Sequence, residues 1–299
     1  MKTGKTALNI ISFFIKKSIR KRRKKYPPHS FREKINIPYI DDGSIYHKYD
    51  VYLANEENRK HVCIFDIHGG SYLFGEHQDN YPLAYEFIKE GYDVVLVDYA
   101  PNDGNRDIYD IANECVSCIN HVLDRKKEYV LDNDSFVFMG DSAGGHLAIL
   151  MSMIYTNKEL AKKLQLSPLP IDLRMVLVNS PVYDYVDAYS SLSSSGARRM
   201  IGPKWKDKEH QALYSPNCHI DLLKLPIFVS TCKRDFIRSQ TLHLMDDIKG
   251  RDNVFFIDIN SDNKAVDHVH NVTKPHLKES IEVNKAMLRF IEEYINDNK

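Results

Sequence analysis

Short apolar runs alternate along the chain with stretches in which apolar residues recur every three or four positions. The apolar runs predict strands at His61–Ile67, Tyr92–Val97, Phe136–Met139, Met175–Ser180, Pro226–Cys232 and Val254–Ile259. The helical periodicity predicts helices at Tyr81–Lys89, Ile108–Arg125, His146–Tyr155, Ser239–Lys249 and Ser280–Ile295. This alternation is typical of an α/β protein with a mostly parallel sheet and helices on both faces. The continuous apolar runs also suit strands that are buried on both sides.

A glycine-flanked serine stands between one of these strands and the following helix. The strand Phe136–Met139 leads into Gly140, Ser142 and Gly144, which form the pattern G-x-S-x-G of a nucleophile elbow. A tight strand-to-helix turn crowds the chain two residues before and after the serine, where glycine has no Cβ to clash. The same turn leaves the amide of Ala143 unpaired at a helix N-terminus. The pattern therefore predicts Ser142 as a nucleophile.

A second motif follows an earlier strand. His61–Ile67 ends in His68, Gly69, Gly70 and Ser71, a segment similar to the H-G-G-G loop of lipases and esterases. With both motifs present, the chain resembles an α/β-hydrolase of the hormone-sensitive-lipase-like carboxylesterase type. That resemblance implies the α/β-hydrolase fold, with a mostly parallel central sheet, helices on both faces and a small cap.

The resemblance also implies where an oxyanion would bind. In that family, the donors are the amides of the second and third glycines of the loop and of the residue after the nucleophile. These positions correspond to Gly70, Ser71 and Ala143 in this chain. Ser71 departs from the family pattern because it replaces the third glycine. A main-chain amide is still available from serine, but the shape of the neighbouring acyl pocket changes.

A nucleophilic serine needs a base, and the base needs an orienting acid. In α/β-hydrolases the histidine comes last in the chain. His268 and His270 both lie after the last predicted strand and before the last predicted helix. The family pattern there is often H-x-F, which favours His268 as the base and leaves His270 open as the alternative.

The acid is predicted after the strand Pro226–Cys232. The family has D-P-L-R-D at this place, with the first aspartate catalytic, and Asp235 takes that position. Phe236 stands where proline is usual. Asp184, just past another strand, is the alternative acid.

The segment Asp98–Pro101 resembles the D-Y-R-L-A-P motif of the same family, shortened and without its arginine. It directly follows the strand Tyr92–Val97. We expect a structural role, in which it closes this strand and anchors the oxyanion loop, the segment that begins at His68.

These residues predict a serine hydrolase that cleaves small esters through an acyl-enzyme intermediate, with no metal or organic cofactor. The resemblance implies short acyl chains. Two alternatives remain open: an amidase or peptidase with the same triad, and a non-catalytic binder of small ligands on the hydrolase fold. Such binders typically lack the triad histidine, so the presence of His268 favours an enzyme.

A long connection separates the strand that ends at Ser180 from the strand that begins at Pro226. Structureless loops of this length are uncommon and are often functional. We therefore expect residues 31–299 to form one hydrolase domain, with a partly helical cap insertion at about 183–217. A plain surface excursion is the alternative.

The N-terminal segment, residues 1–30, differs in charge from the rest of the chain. The first 25 residues hold ten Lys or Arg and no acid, so the remainder has 31 basic against 41 acidic residues and a net charge of −10. Apolar residues recur on one helical face, and the apolar run is too short to span a bilayer. Three interpretations fit this segment: a helix of the cap, attachment to an anionic membrane surface through residues 1–25, and an export signal or disordered tail. The acidic remainder argues against nucleic acid as a partner.

Five cysteines, an odd number, do not form a disulfide framework. Cys115 and Cys118 lie one turn apart in a predicted helix, with His121 another turn on. This is at most half a metal site and fits helix packing better. The cysteine count and lysine-rich composition favour a reducing cytoplasm, with membrane association depending on the N-terminal segment.

Overall fold

The computed structural model describes residues 32–296 except 130, 132, 134 and 191. These residues form an eight-stranded sheet in the order β1-β2-β4-β3-β5-β6-β7-β8. The strands are β1 (Arg32–Pro38), β2 (Lys48–Leu53), β3 (Val62–Ile67), β4 (Asp93–Val97), β5 (Ser135–Asp141), β6 (Leu173–Asn179), β7 (Ile227–Cys232) and β8 (Val254–Ile259). Strand β2 is antiparallel to both β1 and β4, and all other pairs are parallel. The predicted mostly parallel sheet is confirmed.

The helices cover both faces of this sheet. They are α1 (Tyr81–Lys89), α2 (Ile108–Asp124), α3 (Ala143–Thr156), α4 (Lys158–Lys163), α5 (Ser194–Ile201), α6 (Lys208–Leu213), α7 (Arg238–Asp247), α8 (His270–Thr273) and α9 (Lys278–Asn296). All five helices expected from the sequence are present, within three residues at each end. The short helices α4, α5, α6 and α8 carry too few turns for a periodic pattern to predict.

Two hydrophobic cores lie on opposite faces of the sheet. One contains Val95 and Val97 of β4 with residues of α2 and α3, and the other contains Val94 and Leu96 of the same strand with residues of α1 and α9. Successive side chains of a strand point to opposite faces. Strand β4 is therefore buried on both sides, as its continuous apolar run predicted.

The pattern of apolar residues does not predict β1 and β2. Strand β1 is almost entirely exposed. Strand β2 carries Asp50, a fully buried carboxylate, in the middle of its run. An exposed edge strand and a buried charge both weaken the apolar pattern on which the prediction depends.

The long connection between β6 and β7 contains α5 and α6 and two short 3-10 helices, Pro216–Cys218 and Ile220–Leu222. It packs on the loop after β4: the side chain of Asn102 donates to the carbonyl of Met200 at 3.2 Å. A Cβ on Gly202 would lie 1.8 Å from the carbonyl oxygen of Arg106, so the two loops approach as closely as a glycine permits.

Residues 1–31 lie outside the described residues, and with them the predicted N-terminal segment 1–30. Within residues 32–296 as described, no helix is long and apolar enough to cross a membrane.

Cys115 and Cys118 are fully buried in the core beside β2, and His121 Nδ1 lies 2.8 Å from the hydroxyl of Tyr49. The packing role expected for this part of α2 is confirmed.

Candidate active site

Ser142 occupies the turn between β5 and α3. Its φ of 54° and ψ of −118° lie in a region that L-residues rarely adopt, as expected of a nucleophile elbow. The turn is held on both sides: Ser142 donates its amide to the carbonyl of Asn179 at 2.9 Å, and its own carbonyl accepts from Val182 at 3.1 Å. A Cβ on Gly140 would lie 2.3 Å from the Gly144 carbonyl oxygen, and a Cβ on Gly144 would lie 2.0 Å from the Ile67 carbonyl oxygen. Both positions therefore require glycine, as the sequence predicted.

His268 joins this serine to Asp235. Nε2 of His268 lies 2.9 Å from Ser142 Oγ, and Nδ1 lies 2.8 Å from Asp235 Oδ1. An ionised carboxylate only accepts hydrogen bonds, so Nδ1 must carry the proton and donate it. Nε2 is then the nitrogen that faces the serine hydroxyl and can accept its proton.

Asp235 is buried and ionised. Burial disfavours its charged form, but the hydrogen bond and charge of His268 outweigh burial and hold the pKa of Asp235 below its ordinary 3.8. Its other contacts also favour the carboxylate: Thr231 Oγ1 donates to Oδ2 at 3.0 Å and the amide of Ile237 donates to Oδ1 at 2.9 Å.

The two alternative residues lie elsewhere. His270 is buried, with Nδ1 2.9 Å from the hydroxyl of Ser280, and burial lowers its pKa to about 4. The carboxylate of Asp184 accepts from the amide of Asp187 at 2.9 Å in a turn of the long connection. The structure therefore brings together Ser142, His268 and Asp235.

The loop after β3 makes a tight turn beside the serine. The amide of Leu73 donates to the carbonyl of Gly70 at 3.0 Å, and the two central residues, Ser71 and Tyr72, have φ of 55° and 60°. Such positive φ values favour glycine, so Ser71 holds a strained conformation. A Cβ on Gly69 would lie 3.1 Å from Ser142 Cβ, which places the loop against Ser142.

Three main-chain amides near the serine keep their hydrogens free. Gly69 donates its amide to Asp141 Oδ1 at 3.0 Å. In contrast, the amides of Gly70, Ser71 and Ala143 donate no hydrogen bond to any part of the chain that the structure describes. Free amides of this kind can stabilise a developing negative charge. They are the three donors that the family resemblance implies.

A buried ionic chain supports this loop from behind. His68 contacts Gly69 O through Nδ1 at 2.6 Å and Asp98 Oδ1 through Nε2 at 3.1 Å. His77 lies between Asp98 Oδ2 at 2.7 Å and Asp50 Oδ1 at 3.0 Å. Both nitrogens of each ring therefore face acceptors, so each ring donates twice and is an imidazolium.

The electrostatics of the chain agree with this assignment. Burial opposes the charge on His77, but the two neighbouring carboxylates outweigh burial and raise its pKa from 6.5 to about 9. Tyr99 completes the support: it stacks on His68 at 4.4 Å and donates its hydroxyl to the His68 carbonyl. The anchoring role predicted for Asp98–Pro101 is confirmed.

A second buried pair of carboxylates lies on the other side of the loop. Nδ2 of Asn80 donates to Asp66 Oδ1 at 3.1 Å and to Asp141 Oδ1 at 2.8 Å. Burial, followed by the charge of Asp141, raises the pKa of Asp66 well above its ordinary value. The raised pKa favours the neutral form of Asp66.

The serine opens into a cavity of about 270 Å³. One wall is the oxyanion loop, from His68 to Gly75, and the other follows the histidine, from His268 to Thr273. Phe236, beside Asp235 in the chain, lies at this second wall. The remaining lining residues are Asp79, Asn80, Asp141 and Ser142.

The sequence of residues 49–243 matches the model of the BD-FAE family. This match spans well over half of the chain, from β2 to α7, and includes Ser142 and Asp235. The chain belongs to the BD-FAE family. BD-FAE is a hormone-sensitive-lipase-like esterase family, so the resemblance is confirmed and the protein is a carboxylesterase-like hydrolase.

Solved structures share the whole fold of this BD-FAE protein. Esterase B from Lactobacillus rhamnosis matches with a TM-score of 0.84 at 20% identity and covers 100% of this chain and 98% of that chain. Esterase B inhibited with a C4-C4 tributyrin phosphonate matches with a TM-score of 0.76 at 18% identity, covering 99% and 97%. A hyperthermophilic esterase from the archaeon Pyrobaculum calidifontis matches with a TM-score of 0.70 at 19% identity, covering 94% and 92%. The α/β-hydrolase fold is confirmed. No curated protein matches the sequence.

Sequence motifs alone do not identify the residues behind the oxyanion loop. His77, Asp50 and Asn80 belong to no recognisable pattern. His77 and Asn80 come from a 3-10 helix, and Asp50 comes from β2, next to the edge strand β1. These elements meet only in the folded chain. The one signal that the sequence offers is Asp50, a charged residue within the segment that forms β2. A charge that is buried in a sheet requires a partner.

Proposed function

We propose that this BD-FAE protein hydrolyses short-chain carboxylic esters through a covalent acyl-enzyme on Ser142. The observation that carries the proposal is the continuous hydrogen-bonded series from Ser142 Oγ through His268 to Asp235, at 2.9 and 2.8 Å. The series opens into a cavity whose wall carries the free amides of Gly70 and Ser71.

The first half of the proposed reaction forms the acyl-enzyme. Ser142 Oγ attacks the ester carbonyl carbon while His268 Nε2 takes its proton. The carbonyl oxygen becomes an oxyanion and accepts hydrogen bonds from the amides of Gly70, Ser71 and Ala143. The bond to the alcohol oxygen then breaks, and the imidazolium of His268 gives that oxygen its proton.

The second half releases the acid. A water molecule gives a proton to His268 and attacks the acyl carbon, and the same amides hold the second oxyanion. The C–O bond to Ser142 breaks, and the proton returns to Ser142. The net change is one ester and one water converted to one acid and one alcohol. Asp235 stabilises the imidazolium that forms in both halves.

The cavity volume supports small acyl groups. At about 270 Å³ it is smaller than most ligand pockets, which measure roughly 300–1,000 Å³. The tributyrin phosphonate that inhibits Esterase B agrees with this size class. We therefore propose acetate to butyrate esters as substrates.

Hydrolysis of p-nitrophenyl esters from acetate to decanoate tests the proposal. We expect turnover that falls beyond butyrate and that Ser142→Ala reduces on the order of 10⁶-fold, since triad residues act as a unit. Ser152→Ala is the matched control, because Ser152 lies in α3 with its hydroxyl bonded to the Ala148 carbonyl. A loss below tenfold in Ser142→Ala would contradict the assigned nucleophile.

A further inference from the structure

Phe236 is an unusually exposed aromatic residue for its position. It is 76% exposed, the highest value for a large hydrophobic side chain among the described residues. Its ring packs on the imidazole of His268, with centroids 4.4 Å apart and an interplanar angle of 55°. Single exposed apolar residues are ordinary on protein surfaces. This one lines the active-site cavity and touches the proposed catalytic base.

The proposed reaction defines which part of a substrate faces this ring. His268 Nε2 lies 2.9 Å from Ser142 Oγ and must protonate the leaving alcohol oxygen. The alcohol portion of the ester therefore lies next to the imidazole, whereas the carbonyl oxygen points to the amides of Gly70 and Ser71. Phe236 packs on the imidazole, so it lies on the alcohol side.

The rest of the alcohol side is uncharged and mostly apolar. Beyond His268 the cavity is lined by Val269, Val272 and Thr273, none of which is charged. The acidic lining residues accept hydrogen bonds from the oxyanion loop or from the residue that follows it. Asp141 accepts from the amide of Gly69, and Asp79 accepts from the amide of Glu76.

We propose that Phe236 is a specificity-determining residue that binds the leaving alcohol, and that the enzyme prefers esters of apolar, ring-bearing alcohols. This inference rests on the proposed esterase function. An aromatic ring of the substrate would pack against Phe236 at the distances usual for aromatic pairs. Contact with the substrate would cover apolar surface that is open to solvent in the free protein.

Paired esters with one acyl group test this preference. Benzyl acetate and methyl acetate share the acyl half and have alcohols of similar acidity, so they differ mainly in the ring. We expect Phe236→Ala to lower kcat/KM for benzyl acetate about fivefold to tenfold more than for methyl acetate, the size of an aromatic pair contact. Phe236→Tyr keeps a ring and should restore the preference.

Ile45→Ala is the matched control. Ile45 is also an exposed apolar residue, at 67%, but does not line the cavity. The benzyl-to-methyl ratio of this variant should equal that of the wild type. Because Phe236 is mostly exposed, its replacement should leave the melting temperature close to that of the wild type.

Three outcomes would overturn the inference. An equal loss of kcat/KM on both esters in Phe236→Ala would show that Phe236 acts only by packing on His268. Unchanged kcat/KM values on both esters, and so an unchanged benzyl-to-methyl ratio, in Phe236→Ala would show that Phe236 has no role in alcohol preference. A change from dimer to monomer on gel filtration would show that the ring covers an interface between copies. Hydrolysis that remains dependent on Ser142 in all three cases would leave the proposed esterase function standing.

Discussion

His268 and His270 are two residues apart and lie in opposite chemical environments. His268 points into the cavity between Ser142 and Asp235, whereas His270 is buried with its ring against Ser280. In the short segment around α8 the backbone turns through Val269, whose φ is 49°. This left-handed residue separates the two rings, which the spacing in the sequence does not reveal.

At the residue scale we expect His268→Ala and His270→Ala to affect different quantities. His268→Ala should reduce kcat on the order of 10⁶-fold, like removal of the nucleophile. His270→Ala should mainly lower the free energy of unfolding, by about 1–3 kcal/mol, because it leaves the Ser280 hydroxyl without its ring partner. Esterase assays and urea unfolding of both variants measure these effects. The reverse pattern would move the base to His270.

Ser71 offers a second prediction at this scale. Its φ of 55° costs an L-residue about 1–2 kcal/mol, which glycine avoids, although glycine loses about 0.4–1 kcal/mol through the unfolded chain. Ser71→Gly should therefore raise the free energy of unfolding by about 0.5–1 kcal/mol in urea. Ser71→Ala keeps the Cβ and should bring no such gain. Equal stability of the two variants would contradict strain at this turn.

At the scale of elements, the oxyanion loop depends on strands and turns that are far apart in the sequence. The carboxylate of Asp50 comes from β2, His77 comes from the 3-10 helix His77–Asn80, and Asp98 directly follows β4. Together they form a rigid ionic support for a loop whose own backbone is strained. The strain at Ser71 is tolerated because its neighbours hold the conformation.

His77 makes the stability of this support depend on pH. Its pKa is about 9 in the folded protein against 6.5 for the free side chain, so the folded state binds the proton more tightly. The stabilisation, about 3 kcal/mol, is complete below pH 6.5 and is lost as the pH rises through about 9. Urea unfolding of the wild type between pH 6.5 and 9.5 should show this loss.

In His77→Gln this part of the pH dependence should be absent, with lower stability at neutral pH. His243→Gln is the matched control, since His243 lies exposed on α7, and it should follow the wild type. Identical pH profiles of the wild type and His77→Gln would show that the buried imidazolium is not the source.

At the scale of the whole molecule, the connection between β6 and β7 packs over the oxyanion loop. Tyr72, next to Ser71, contacts Tyr185 and Tyr189 of this connection through perpendicular rings. The hydroxyl of Tyr72 lies 2.7 Å from Nδ1 of His146 in α3. We propose that residues 183–217 act as the cap, because they pack against the turn beside the nucleophile.

The basic N-terminal segment gives the prediction for the whole molecule. We propose that residues 1–25 attach the protein to anionic membranes, since this segment carries ten basic residues and no acid. Deletion of residues 1–25 should abolish sedimentation with anionic vesicles and leave kcat on p-nitrophenyl acetate within twofold. Neutral vesicles are the control. A collapse of turnover would instead make the segment part of the cap.

The sequence by itself determined the parallel part of the sheet and its covering helices. Their apolar runs are continuous or periodic, and burial on two faces requires such patterns. It also singled out the elbow serine and the loop glycines, because close backbone approaches accept few residue types. These features are local, so a short stretch of residues suffices to encode them.

Only the tertiary structure decided which side chains meet. The placement of His268 rather than His270 at Ser142 depends on one left-handed residue. The ionic chain behind the loop depends on β2, whose buried Asp50 interrupts its apolar pattern. In the sequence, Phe236 is only a residue that replaces the usual proline of the D-P-L-R-D motif. Its place in the wall of the cavity follows from its packing on His268. Contacts between distant residues follow from the packing of elements, which local patterns do not contain.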